Sequence, residues 1–323
     1  MEYRRLGKAG LKLSVLSFGS WVTFKNQLDD RQADQCLGTA YDAGVNFFDN
    51  AETYAAGQSE VIMGRALKRL GFPRDSYCVS SKVFFGSRSA PLPTQRGLSR
   101  KHIMEACHQA MQRLQVDYLD LYFCHRPDPD TPIEETVRAM HDLVQQGKVL
   151  YWGTSEWPAE DIIAAHSIAH GLYLTPPSME QPQYNLFVRQ RVEQEYAPLY
   201  RDYGMGTTVW SPLASGILTG KYSRGIPADS RVNLAGYEWL KERVENEEGK
   251  QRITATDRLK SVARELDMSV TQLALAWCLK NPNVSSVILG ASQLQQLREN
   301  LGALAQLAKL SAEVMQRIEK AIR

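Results

Sequence analysis

Eight short apolar runs recur along the chain, separated by stretches of helical periodicity, and this alternation limits the fold more than any other feature. The runs cover residues 14–18, 45–49, 77–81, 118–124, 149–153, 178–181, 207–210 and 286–289. Several are apolar throughout rather than alternating, as parallel strands buried on both faces are. Between them, residues 30–43 place Ala33, Leu37, Ala40 and Tyr41 on one stripe, and residues 59–70 do the same with Ile62, Met63, Ala66, Leu67 and Leu70. Helices are also expected over 99–114, with Ser99 as N-cap, and over 132–145, with Thr131 and Pro132 in the N-cap and first-turn places and Gly147 past the end. Two more are expected over 158–169 and 293–305. With no Pro/Gly/Ser-rich linker between them, these elements predict one α/β domain over residues 1–323, a single (β/α)8 TIM barrel.

At 323 residues the chain can bury a large core without staples. Its 38 basic and 36 acidic residues give a net charge of +2, which excludes a strongly basic nucleic-acid arm or an acidic tail, so no nucleic-acid partner is expected. Glu2, Arg4 and Arg5 precede any apolar run, unlike a signal peptide, and no stretch reaches the ~18 apolar residues of a membrane span, so no membrane insertion is expected. The five cysteines, at 36, 78, 107, 124 and 278, are odd in number and form no C-x-x-C pair. A reduced, cytoplasmic location fits them.

Two segments break the rhythm. Residues 82–98, after strand three, contain Gly86, Pro91, Pro93 and Gly97. Residues 211–251, after strand seven, contain Gly216, Gly220, Pro227 and a mixed-charge run over 241–250 that reads as a solvated helix face. Long βα loops on a barrel are where sites are built, at the C-terminal ends of the strands. There strand two ends in Asp49, with Tyr54 in its loop, strand three ends at Lys82 and strand four at His125. A buried ammonium needs a carboxylate partner, and Asp49 on the adjacent strand is in reach of Lys82.

Carbonyl reduction suits this set. Hydride attack builds charge on oxygen, so an acid must deliver a proton. Tyrosine titrates near ~10, and a neighbouring Lys⁺ is expected to lower that value. His125 would orient the carbonyl or share the relay. Each residue alone has a structural reading at a strand end. A desolvated Lys82 could also form a Schiff base, which Asp49 opposes by holding it protonated. Metal ligation is a poor reading. His166 and His170 are four apart without the Glu of H-E-x-x-H, and His102, Cys107 and His108 do not share one helix face. Cys124 shows no sign of thiol activation.

No G-x-G-x-x-G or Walker-type loop occurs. A barrel can instead hold phosphates at the loops after strands seven and eight, here Trp210-Ser211-Pro212-Leu213-Ala214-Ser215-Gly216 and Leu289-Gly290-Ala291-Ser292. The second runs into a helix N-terminus near Gln293. Trp21, Phe84, Phe85 and Trp157 suggest a partly apolar pocket.

The segments Gly19-Ser20-Trp21-Val22-Thr23-Phe24, Phe48-Asp49-Asn50-Ala51-Glu52-Thr53-Tyr54, Arg126-Pro127-Asp128-Pro129-Asp130-Thr131-Pro132, Tyr151-Trp152-Gly153-Thr154-Ser155 and Trp210-Ser211-Pro212-Leu213-Ala214, with Glu299-Asn300, carry a resemblance. The chain resembles the aldo-keto reductases over nearly its whole length, in particular the branch containing the β subunits of voltage-gated potassium channels and their bacterial relatives. The resemblance implies reduction of a small-molecule aldehyde or ketone with NADP(H), by a tetrad of Asp49, Tyr54, Lys82 and His125. It implies cofactor contacts from Trp21, Asp49, Ser155, Gln183 and Trp210 near the nicotinamide and from Ser211, Leu213, Lys221 and Arg231 along the phosphates. At the adenosine end it implies Gly290, Ser292, Gln296, Glu299 and Asn300. The channel subunits form four-fold rings, so the implied assembly is a homo-tetramer or an assembly of tetramers.

Two positions depart from the animal channel subunits. They carry Asn where this chain has His125, and Arg after the residue matching Ser155, where this chain has Glu156. A carboxylate cannot make that arginine's contacts, so position 156 is not carried over. The alternative reading is an NADPH-binding regulatory β-type subunit of a membrane channel with slow turnover. His125, and a start almost at the first strand with no channel-plugging extension, disfavour it.

Overall fold

The structure is a computed structural model that describes residues 1–21, 30–228, 230–234 and 236–323; the side chain of Arg231 also lies outside the description. Val22, Thr23 and Phe24 of the first quoted segment are therefore not among the described residues. In chain order the strands are β1 (Tyr3–Arg5), β2 (Lys12–Ser14), β3 (Leu16–Gly19), β4 (Phe47–Asp49), β5 (Cys78–Val83), β6 (Leu119–Cys124), β7 (Val149–Thr154), β8 (Met179–Glu180), β9 (Gly206–Val209) and β10 (Val284–Leu289). The helices are α1 (Asp30–Asp42), α2 (Gln58–Leu70), α3 (Arg100–Leu114), α4 (Ile133–Gln145), α5 (Ala159–Gly171), α6 (Ala197–Tyr203), α7 (Glu238–Glu245), α8 (Glu247–Glu265), α9 (Val270–Lys280), α10 (Leu294–Leu301), α11 (Ala303–Gln306) and α12 (Ala312–Ile322).

Strands β3 to β10 close into an eight-stranded barrel in the order β10-β3-β4-β5-β6-β7-β8-β9, every neighbouring pair parallel. Each expected apolar run supplies one of these strands. The fold is the (β/α)8 TIM barrel, with helices packed around the sheet. Most of the core lies between sheet and helices, where Val79, Tyr122, Trp152, Ala165 and Leu273 are among the fully enclosed side chains.

A hairpin that the sequence reading does not contain precedes the barrel. Strands β1 and β2 pair antiparallel, and their turn meets the chain before β9: Lys8 N–H donates to Gly204 O at 2.7 Å. Gly7 has φ +57°, and a Cβ there would stand 2.2 Å from Gly204 O, so only glycine fits this approach of backbone to backbone. Leu6 and Leu13 join Phe47, Cys78, Leu121, Phe123, Met179 and Ile288 in a second apolar cluster.

That cluster shows the two-residue period of the strands. Inward positions run Phe47–Asp49 on β4, Cys78–Ser80–Lys82 on β5, Leu121–Phe123 on β6 with His125 just beyond it, and Met179 on β8 with Gln181 beyond. Apolar residues fill the lower layers, and polar residues follow at the C-terminal ends. The register sets Gly19 beside Asp49 and Lys82 beside Phe123.

Two helix boundaries differ from expectation. Pro132, not Thr131, precedes α4 as its cap, because the Thr131 hydroxyl donates to Asp128 Oδ2 at 2.8 Å. The stretch expected as one helix over 293–305 divides into α10 and α11 at Gly302, a weak helix former. Ser99 caps α3 as expected, accepting from His102 N–H. The run over 241–250 spans α7 and the start of α8, mostly exposed.

Candidate active site

The inward residues at the tops of β4, β5 and β6 converge. Lys82 Nζ is fully buried and donates to Asp49 Oδ2 at 2.6 Å, to Asn50 O at 2.7 Å and to the Tyr54 hydroxyl oxygen at 3.1 Å. Those three bonds use all three ammonium protons. Asp49 Oδ1 accepts from Ser80 Oγ at 2.8 Å and from Gln181 Nε2 at 3.1 Å, so the carboxylate is fixed from both sides. Tyr54 opens a 3₁₀ turn in which Ala55 and Ala56 have φ of 50° and 52°, a strained path that sets the phenol over Lys82. Its ring meets that of His125 edge-on, with centroids 5.9 Å apart.

Charges follow from burial. Burial pushes the Tyr54 phenol well above the ordinary tyrosine range and Asp49 adds to it, against a smaller opposing pull from Arg126. The net direction is the opposite of the expected lowering: for the phenolate, the loss of water and the Asp49 charge outweigh the pull of the Arg126 cation. Burial draws the Lys82 ammonium down, opposed by Asp49. Burial, helped by repulsion from Lys82 and Arg126, holds His125 well below its usual value, so the ring is neutral. Burial likewise pushes the Cys124 thiol far up.

The site opens onto a cleft of about 1130 Å³ at the C-terminal mouth of the barrel. Asp49, Tyr54 and His125 line it, and Lys82 lies beneath them. Trp21, Ser155, Trp210, Ser211, Leu213, Lys221, Gly290, Ser292, Gln296, Glu299 and Asn300 line it too. Gln183 is half-buried and is not among the lining residues, whereas Gln181, two positions earlier, lines the cleft. Strand β8 is two residues long, and both glutamines follow it with the same parity, so only the point where the strand ends separates them. Arg231 begins a short 3₁₀ turn, and its side chain is outside the description. Of the four aromatics, Trp21 and Phe85 line the cleft, whereas Phe84 does not and Trp157 is buried in the core.

The walls are built by the two long loops. Trp21 packs edge-on against Trp210 at 6.2 Å and lies 6.4 Å from Trp239 of α7, so the loop after β9 reaches back over the mouth. In that loop Ser211, Ala214 and Ser215 all have positive φ, between 47° and 57°. The loop after β5 is tied down by Glu52, whose Oε1 accepts from the N–H groups of Phe84 and Gly86, both at 2.8 Å. His102 supports it, meeting Glu52 Oε2 at 3.3 Å through Nε2 and Gly97 O at 2.8 Å through Nδ1. Both partners are acceptors, which favours the charged ring: burial opposes the charge, and Glu52 and Gly97 outweigh it and raise the imidazole above its usual value.

Sequence reasoning assigned nothing to Glu156 beyond excluding it as a cofactor ligand. Its Oε1 accepts from Gln183 N–H at 2.6 Å and from the Trp210 indole N–H at 2.9 Å, and its Oε2 pairs with Arg191 at 2.6 Å. It holds the Trp210 edge of the cleft in place from outside. Arg126, to which the sequence assigns no role, also lines the cleft.

A strand-end Asp and Lys, a loop Tyr and a neutral His on one barrel mouth narrow the family, and comparison decides it. The model of the aldo/keto reductase family matches residues 15–323. The chain belongs to that family. An aldo/keto reductase is an oxidoreductase, and reduction of carbonyl compounds with a nicotinamide cofactor is the family's general activity. The chain is 51% identical to a protein of Oryza sativa subsp. japonica and 50% identical to one of Arabidopsis thaliana, each called a probable voltage-gated potassium channel subunit beta. Each match takes in all 323 residues of this chain and 97% of the relative. A small-molecule substrate fits this aldo/keto reductase. Among the described residues no helix is long and apolar enough to cross a membrane, and no cluster of three His, Cys, Asp or Glu is disposed to hold a metal.

Proposed function

We propose that this protein, acting as one domain over residues 1–323, reduces aldehydes or ketones to alcohols with NADPH. The observation that carries the reading is the Lys82 ammonium, its three protons divided among Asp49, Asn50 O and Tyr54, beneath the cleft. An amine so engaged has no lone pair for a carbonyl, which argues against the Schiff-base alternative.

The cleft suits a dinucleotide. Trp21 and Trp210 offer flat walls beside the tetrad, while the positive-φ run at Ser211, Ala214 and Ser215, with Lys221, offers donors for phosphate. The N-terminus of α10, beside Ser292, Gln296, Glu299 and Asn300, has no side-chain cap on its first N–H groups. When bound, the nicotinamide supplies a hydride to the carbonyl carbon. Tyr54 gives its hydroxyl proton to the carbonyl oxygen, and solvent later replaces it. Lys82 donates to the same phenol oxygen and stabilises the negative charge left there, while Asp49 keeps Lys82 charged. Neutral His125 holds the carbonyl oxygen towards Tyr54. General acid catalysis of this kind contributes ~10²–10⁴-fold.

A cytoplasmic homo-tetramer is the assembly we propose, to be checked by sedimentation. The names of the rice and Arabidopsis relatives favour a second reading, a channel-associated subunit with slow turnover. A panel of methylglyoxal, glyceraldehyde and nitrobenzaldehyde, followed by loss of NADPH absorbance, separates the two. Turnover near the ~10 s⁻¹ typical of enzymes supports the reductase. Tight cofactor binding with only very slow turnover supports the subunit.

A further inference from the structure

We propose that Arg126 is a recognition site for a carboxylate on the substrate, so that the preferred carbonyl compound is an aldehyde whose apolar or aromatic body carries a carboxylate at its far end. The inference rests on the reading of the cleft as a carbonyl-reduction site.

Arg126 follows His125 at the top of β6 and lines the cleft with Tyr54 and His125. Its Nη1 is anchored, donating to His125 O and to Ser155 Oγ at 3.4 Å. Among the described residues nothing accepts from Nε or Nη2, and no carboxylate lies within ion-pair distance. The anchored nitrogen fixes the guanidinium plane, and the unengaged Nε–Nη2 edge is the edge that binds a carboxylate with two parallel hydrogen bonds.

The surroundings set the rest of the ligand. The Phe85 ring is 40% exposed; its centroid lies 5.2 Å from that of His125 and 5.8 Å from the Arg126 guanidinium. It offers an apolar surface from the proton-transfer end of the site to the cation. Lys82 is matched by Asp49 and His125 is neutral, so among the described residues beside Tyr54 and His125 it is Arg126 that brings an uncompensated positive charge to the cleft. One charge suits a monoanionic carboxylate.

The test compares 4-carboxybenzaldehyde with methyl 4-formylbenzoate, which share ring and aldehyde and differ in charge. The expected KM for the acid is ten- to a hundredfold below that for the ester, with the gap closing as salt is raised to about 0.5 M. In Arg126→Gln the ratio of the two KM values falls to near one, and Arg126→Lys restores part of it. Equal KM values in the unmodified protein at low salt overturn the proposal. Equal loss for both substrates in Arg126→Gln also overturns it, reducing Arg126 to a support for His125. Should Arg126→Gln not fold, the salt dependence of the unmodified protein decides. Should neither aldehyde turn over, the reductase reading fails separately. Calorimetric titration of the same pair into the NADPH-loaded protein then tests Arg126: tighter binding of the acid supports it, and equal binding refutes it.

Discussion

Tyr54 accepts a hydrogen bond from Lys82 at 3.1 Å through the same oxygen that carries its own proton, so that proton is left for the cleft. Burial keeps the phenol protonated at neutral pH, and the ammonium beneath it is in place before charge develops. On the proposed reading the site is an acid at rest that becomes a stabilised anion only as the carbonyl accepts hydride.

Removing the hydroxyl tests this directly. Tyr54→Phe keeps the ring and its packing and should bind cofactor as the unmodified protein does, while kcat for aldehyde reduction falls by ~10²–10⁴. Steady-state kinetics beside a cofactor titration check it; an unchanged kcat removes Tyr54 as the acid.

Lys82→Met leaves Asp49 as a buried carboxylate without its cation. Activity should be lost, and urea unfolding should show a loss of ~3–5 kcal/mol. Borohydride added during turnover of the unmodified protein should leave no adduct on Lys82 by mass spectrometry.

Glu180 gives the fold a dependence on pH. Burial pushes its carboxyl up to about 8, against hydrogen bonds from Thr154 and Tyr196. The folded state therefore holds a proton that the unfolded chain, titrating near ~4.3, releases. Its contribution to stability is complete below that value and declines as pH rises towards 8. Glu180→Gln cannot ionise, so the variant should gain on the unmodified protein by a few kcal/mol between pH 5 and 8, in units of ~1.4 kcal/mol per pH unit. Denaturation at a series of pH values measures the gap; a constant gap refutes the protonated carboxyl.

NADPH should bind more tightly than NADH, because the added phosphate needs donors such as Arg231, Ser292 and Gln296. Arg231→Ala should weaken NADPH ten- to a hundredfold and NADH much less, the loss of one charge-assisted hydrogen bond. Quenching of tryptophan fluorescence follows both titrations. Equal weakening removes Arg231 from the phosphate site, and tighter NADH binding overturns the preference itself.

The barrel was legible because strands buried on both faces leave continuous apolar runs, from 45–49 to 286–289. The convergence of Asp49, Tyr54, Lys82 and His125 followed from reading where those runs stop. The β1–β2 hairpin was not, since Tyr3–Arg5 and Lys12–Ser14 are too short and polar for a two-residue period to stand out. That Gln181 rather than Gln183 lines the cleft was not legible, because no composition marks the end of so short a strand. Glu156 was opaque for another reason: its partners Gln183, Arg191 and Trp210 come from separate segments that only the closed barrel brings together. The direction of the Tyr54 shift was misjudged because a sequence shows neighbours but not how completely water is excluded.

The hairpin turn at Gly7 makes the two rims of the barrel unequal in what they can tolerate. At the lower rim main chain rests on main chain, so the smallest addition, one methyl group, already collides. At the upper rim Phe85 and Trp239 are exposed, and Arg126 and Trp210 face the open cleft. Amino-acid replacement can therefore reshape the cleft at one rim while the other keeps its close backbone contact, and a library built to alter the range of substrates belongs in the loops after β5 and β9.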